Sequence, residues 1–234
     1  MKEKIYLIPG LMTDNRLWSR IIPLLENDYE LVHTAIPHSQ DFDEIIDILF
    51  NEFKEEKVNL LGFSLGGYIA SYFAITYPNR VNRLFTVAAT PGNSTEAEIE
   101  RRKQKFTVIE QEGFLGLSCE KAKSLVEKQN QNDDELIKII QDMFMELGKE
   151  TFISQLTSTF YRKDLFEDLI NLSIPIWFFY SKNDRLLNKE AIKKLLLDNH
   201  NMNIISREGT SHNIPLEEPM LLSTYIKDWM KESF

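Results

Sequence analysis

The chain has 234 residues, of which 43% are hydrophobic, enough to build the core of one α/β domain. Its formal net charge of -9 argues against nonspecific binding to nucleic acid or to an anionic membrane, since both require a positive field. Cys119 is the one cysteine, which excludes an intramolecular disulfide and a cysteine-built metal cluster and makes a reducing cytoplasm the expected setting.

The chain opens on a charged stretch, Met1 to Lys4, and an apolar run, Ile5 to Ile8, that Pro9-Gly10 closes before it reaches the length of a signal peptide or membrane span. Lys4 to Ile8 reads as a first buried strand, followed by a helix over Asp14 to Glu26 and a second strand over Tyr29 to Ile36. A helix over Asp41 to Glu55, a strand over Val58 to Gly62, a helix over Gly66 to Tyr77 and a strand over Arg83 to Ala89 continue the alternation. After a long interval come a strand over Ile174 to Tyr180, a helix over Lys189 to Asn199, a strand over Met202 to Ser206 and a last helix over Pro215 to Lys231. Strands alternating with helices predict a parallel sheet of about six strands covered on both faces.

The interval between Ala89 and Ile174 is far longer than one crossover needs. It is charged and helix-favouring, with apolar residues three and four apart at Leu136, Ile137, Ile140, Phe144 and Leu147. It predicts four or five short helices inserted as a cap. Residues 91–173 are therefore assigned to a cap or lid, and 1–90 with 174–234 to the core.

Gly62-Phe63-Ser64-Leu65-Gly66 lies between a strand and a helix, the context of a nucleophile elbow. Side chains two residues before and after the serine would collide with neighbouring backbone, and glycine removes them. The alternative is a glycine-rich turn that packs a helix on a sheet. The elbow sets Ser64 at a helix N-terminus, where the free N–H of Leu65 can hold an oxyanion.

Serine needs an imidazole to take its proton. Of His33, His38, His200 and His212, the last follows the final strand and so emerges at the carboxyl edge of the sheet, beside the elbow. Asp184, in the loop after the Ile174 to Tyr180 strand, is the candidate acid, with a simple turn-forming role as its alternative. Asp198 and Asp228, inside or at the ends of helices, read as solvated charges. The N–H of Leu11, freed by Gly10 for close approach, is the candidate second oxyanion donor, or else part of an ordinary Pro-Gly turn.

With Leu7 to Trp18, the Gly62 to Gly67 elbow, Tyr77-Pro78-Asn79-Arg80-Val81 and His212, the chain resembles the α/β-hydrolase superfamily. The likeness is to its small capped serine-hydrolase branch of carboxylesterases, enol-lactonases and pimeloyl-carrier-protein methyl esterases. Pro9-Gly10 stands where many such proteins have His-Gly, and the opening hairpin common among them is missing, which shortens the expected sheet to six strands. The resemblance implies an acyl-enzyme on Ser64 and requires no metal or organic cofactor.

Substrate choice falls to the cap and the nearby loops. Gly10, Met12, His38, Phe114, Phe144 and Phe160 are candidate substrate-binding residues, with Phe106, Leu115, Phe152 and Tyr161 as further apolar candidates. The basic run Arg101, Arg102, Lys103 and Lys105 could dock an acyl carrier protein, or be a solvated helix face paired through Glu98. Cys119 reads as a small buried side chain. The expected activity is hydrolysis of a small-molecule ester. Thioester, enol-lactone and carbon-carbon cleavage share the same triad and stay open, as does a noncatalytic binding protein.

Overall fold

A computed structural model describes residues 2–197 and 202–232. The expected helix end at Asn199, with Asp198 and His200, lies outside the described residues. Six parallel strands, β1 (Lys4–Ile8), β2 (Glu30–His33), β3 (Val58–Phe63), β4 (Val81–Val87), β5 (Ile176–Ser181) and β6 (Met202–Arg207), form one sheet in the order β2-β1-β3-β4-β5-β6. The chain turns outward from β1 to β2, then returns to place β3 on the other side of β1. The carboxyl ends of β1 and β3 therefore flank a topological switch point, where a crevice opens in sheets of this kind.

The helices are α1 (Ile22–Leu25), α2 (Phe42–Glu52), α3 (Leu65–Thr76), α4 (Glu96–Glu112), α5 (Cys119–Lys123), α6 (Asp134–Ser158), α7 (Phe166–Ile170), α8 (Lys189–Leu197), α9 (Ile214–Glu217) and α10 (Pro219–Lys231). Side chains alternate across the sheet with a period of two. Tyr6 and Ile8 of β1 pack with Phe42, Leu49 and Tyr68 on one face, whereas Ile5 and Leu7 pack with Trp18, Ile214 and Trp229 on the other. This is the expected α/β-hydrolase fold, with both sheet faces covered.

Two predicted helices are broken, each at a proline. The Asp14 to Glu26 run becomes a single tight turn over Asn15–Trp18 and the four-residue α1, with Pro23 near its start. The Pro215 to Lys231 run splits into α9 and α10 at Glu218-Pro219, because proline has no N–H to continue the ladder. β2 is shorter than expected because its ladder pairs only Glu30–His33 with Lys4–Leu7 at the sheet edge.

Helices α4 to α7 all lie between β4 and β5. Two are longer than expected: α4 has 17 residues behind a Thr95/Glu98 capping box, and α6 has 25, bent where Gly148 adopts φ 75°. Cys119 is exposed rather than buried, since it opens α5 directly after its Ser118 cap and points to solvent. No helix among the described residues is long and apolar enough to cross a membrane.

Candidate active site

Ser64 sits between β3 and α3 with φ 51° and ψ -113°, a strained conformation for a residue with a side chain. Its N–H donates to Val87 O at 2.9 Å, and its carbonyl accepts from Gly67 and Tyr68, so both sides of the turn are tied down. A Cβ on Gly62 would meet Gly66 O at 2.4 Å, and one on Gly66 would meet Pro9 O at 2.1 Å. The two glycines thus serve different contacts: Gly62 lets α3 close on β3, and Gly66 lets the elbow touch the loop after β1.

Ser64, Asp184 and His212 come together in one line. Nε2 of His212 is 3.0 Å from Ser64 Oγ, and Nδ1 is 2.6 Å from Asp184 Oδ2. Asp184 is buried and its other oxygen accepts the N–H of Leu186 at 2.9 Å. The carboxylate therefore orders its own turn as well as facing the imidazole. A proton held on Nδ1 by Asp184 leaves the Nε2 lone pair directed at the serine hydroxyl.

The loop after β1 offers several amides, and most are occupied. Gly10 N–H donates to Thr13 Oγ1 at 2.7 Å, Met12 N–H to Gln155 Oε1 at 2.8 Å, and Thr13 N–H to Gly10 O at 3.2 Å. Among the described residues no acceptor takes the N–H of Leu11. A Cβ on Gly10 would lie 3.1 Å from Ser64 Cβ, which puts this loop against Ser64. Leu65, the first residue of α3, has no intrahelical acceptor for its N–H. Two free amides thus flank Ser64.

Met12 is buried with Phe152 and Leu156 of α6, and Leu11, Phe106, Ile109, Phe114, Phe144, Leu147 and Phe160 pack around them. Phe114 and Phe144 stack in parallel at 6.3 Å, and both face Phe152. Of the candidate substrate-binding residues, Met12, Phe114, Phe144 and Phe160 join this one cluster, and Gly10 lies against Ser64. His38 is exposed and makes no hydrogen bond among the described residues. Leu115 and Tyr161 are also largely exposed and lie outside the cluster.

Three supporting residues escaped the sequence reading. Gln155 fixes the Met12 amide at positive φ. Glu127, in the segment between α5 and α6, accepts the N–H groups of Thr210 and Ser211 at 2.7 and 3.0 Å, and Arg207 Nη1 at 2.7 Å. It clasps the His212 loop from the β4–β5 insertion. The Arg207 hydrogen bond, working against burial, holds the Glu127 carboxyl below its usual range. Glu217 accepts the Glu127 N–H and Asn130 Nδ2 at 2.8 Å each and is hydrogen-bonded to Ser211 Oγ, while burial raises its pKa. The long sequence separations of these contacts gave no local signal.

The basic run does not present a single face. Arg102 turns inward, with Nη1 2.5 Å from Ser94 Oγ, whereas Arg101, Lys103 and Lys105 are exposed.

The family described as serine aminopeptidase, S33, matches residues 32–219. A pimeloyl-[acyl-carrier protein] methyl ester esterase of Proteus mirabilis is 36% identical over 98 residues, 38% of this chain and 38% of that protein. One of Aliivibrio salmonicida is 29% identical over 198 residues, covering 78% of this chain and 75% of its own length. Among solved structures, a thermophilic esterase from Thermogutta terrifontis aligns with TM-score 0.85 at 19% identity, covering 99% of this chain and 90% of that one.

Proposed function

The chain belongs to the serine aminopeptidase, S33, family, and from that premise we propose that it is a serine hydrolase cleaving a carboxylic ester through an acyl-enzyme on Ser64. The observation that carries this reading is the unbroken line from Asp184 through His212 to Ser64, at 2.6 and 3.0 Å. In this mechanism Nε2 of His212 takes the hydroxyl proton as Oγ bonds to the carbonyl carbon. The resulting oxyanion is held by the N–H groups of Leu11 and Leu65. Collapse expels the alcohol, which leaves with the proton from His212. A water then gives its proton to His212, attacks the acyl carbon and releases the acid and free Ser64.

Residues 91–173 act as the cap over this edge, with 1–90 and 174–234 as the core. The Met12, Phe114, Phe144, Phe152 and Phe160 cluster supplies an apolar wall for the acyl group. Relatives named as pimeloyl-[acyl-carrier protein] methyl ester esterases favour a narrower second reading, an ester borne on an acyl carrier protein. The exposed Arg101 and Lys105, four residues apart on one face of α4, would meet its acidic surface, and Arg102 and Lys103 would not.

p-Nitrophenyl butyrate hydrolysis tests the ester reading. The wild type is expected to turn it over, and Ser64→Ala and His212→Ala to lose ~10³-fold or more in kcat. Turnover surviving in folded Ser64→Ala would refute the mechanism. For the narrower reading, a methyl ester presented on acyl carrier protein is expected to be cleaved faster than the free ester, with the advantage lost in the Arg101→Glu/Lys105→Glu double variant.

A further inference from the structure

Arg162 follows α6, and its guanidinium carbon stands 4.6 Å above the ring centroid of Tyr68. Its Nε is sealed from solvent and has no hydrogen-bond partner. Among the described residues no carboxylate forms an ion pair with it. Burial, reinforced by the nearby charge of Arg102, brings the Arg162 pKa down to about 10.

Arg102 is better satisfied, since its Nη1 donates to Ser94 Oγ at 2.5 Å and to Thr159 O at 3.5 Å. Burial lowers its pKa too, and its one ionic partner, Glu98, stands 3.9 Å away. The other oxygen of that carboxylate, Oε2, caps α4, where it accepts from the N–H and hydroxyl of Thr95 at 2.8 and 3.0 Å. Two half-buried guanidinium groups therefore share a single carboxylate, Glu98, whose nearer oxygen is 3.9 Å from Arg102. A buried donor left unsatisfied is destabilising, so a fold that needed no ligand here would be more stable with an apolar side chain at position 162.

Their placement relates them to the chemistry. Arg102, Phe106 and Ile109 lie three and four residues apart on the inward face of α4, and the latter two pack against the Met12 cluster beside the oxyanion loop. Phe160, two residues before Arg162, joins the same cluster. Tyr68, which carries Arg162 on its ring, is the fourth residue of α3, about 6 Å along the helix from its Ser64 N-cap.

We infer that Arg102 and Arg162 form an anion subsite beside Ser64 that holds a carboxylate borne by the ester substrate a few carbons from its scissile carbonyl. This rests on the reading of Ser64 as the esterolytic nucleophile and narrows the substrate class to half-esters of short dicarboxylic acids. A planar carboxylate can accept from Nε and one Nη of Arg162 together, which satisfies the orphaned donor and neutralises the excess charge. The apolar cluster then contacts the carbon chain.

Three measurements test it. Titration calorimetry on Ser64→Ala, with glutarate and inorganic phosphate as probes, reads binding without turnover. Glutarate is expected to bind at least 10-fold tighter than phosphate and to weaken at least 10-fold when Arg162→Met or Arg102→Met is added. In the wild type, kcat/KM for mono-p-nitrophenyl glutarate is expected to exceed that for p-nitrophenyl butyrate at least 10-fold, with that ratio falling toward one in Arg162→Met and partly recovering in Arg162→Lys. Arg162→Met is expected to melt at or above the wild-type temperature. A lower melting temperature with an unchanged selectivity ratio would make Arg162 structural and overturn the inference. Phosphate binding tighter than glutarate would overturn the carboxylate assignment, and no binding of either probe would overturn the subsite. Arginine-dependent glutarate binding without ester turnover would support the subsite and refute the Ser64 reading instead.

Discussion

Replacing Glu127 with alanine is expected to cost both stability and activity, although the residue touches no reacting atom. Its carboxylate is 9% exposed and accepts from Arg207, Thr210 and Ser211, which brackets the turn leading to His212. Breaking a buried ion pair costs ~3–5 kcal/mol. Arg207 keeps Glu218 at 2.5 Å, so the lower end applies, about 3 kcal/mol. At ~2–4 °C per kcal/mol for a chain of this size, the melting temperature should fall by about 6–12 °C. A displacement near 1 Å in a catalytic group costs ~10²-fold, and a freed but chain-tethered loop should lose somewhat less, about 10–100-fold in kcat with KM nearly constant. Glu127→Gln, which keeps an acceptor for the two amides but loses the ion pair, should fall between. The assay is butyrate ester hydrolysis at a temperature where calorimetry shows both variants folded. Wild-type kcat in folded Glu127→Ala would refute the claim that the insertion positions His212.

Gly66→Ala should abolish soluble folded protein or activity, since its Cβ would meet two backbone oxygens at 2.1 and 2.3 Å, whereas Gly92→Ala, whose Cβ would meet only Ala191 Cβ at 3.3 Å, should be near neutral; circular dichroism and turnover check both. Asp184→Asn should fold yet lose ~10³–10⁴-fold in kcat, because an amide in place of the carboxylate no longer favours the Nδ1–H tautomer. Gln155→Leu should release the Met12 amide and lower kcat ~10-fold with little change in KM for short esters. The depressed Glu127 pKa sets the sign of one acid effect: its stabilisation is present above the usual glutamate value of 4.5 and is lost as pH falls through the lower folded-state value. The melting temperature should therefore drop less steeply below about pH 4.5 in Glu127→Ala than in the wild type.

The elbow was legible because its causes are local. Two glycines flank a serine between a period-two run and a period-3.6 run, and the collisions they avoid lie within a few residues or on the adjacent strand. Asp184 and His212 could be found by a topological argument, since loops after parallel strands emerge on one edge. What stayed hidden depends on contacts across the insertion. Gln155 meets Met12 at a separation of 143 residues, and Glu127 meets Ser211 at 84, and helical periodicity identifies a buried face without naming its partner. Other departures had visible signals. Pro23 and Pro219 stood inside the runs they interrupt, and the spacing of Arg102, Phe106 and Ile109 already divided the basic run between two faces. His38 reads as lying on a loop near the catalytic edge; β2 ends at His33, and in the loop that follows the histidine is exposed.

The central claim, that Ser64 is a nucleophile activated by His212, meets its most direct test in intact-mass and peptide-mapping analysis after treatment with a fluorophosphonate. The account expects one adduct per chain, located on Ser64, absent in Ser64→Ala and formed at least 100-fold more slowly in His212→Ala. A folded wild-type protein that stays unlabelled, or that carries its adduct on another residue, would contradict it.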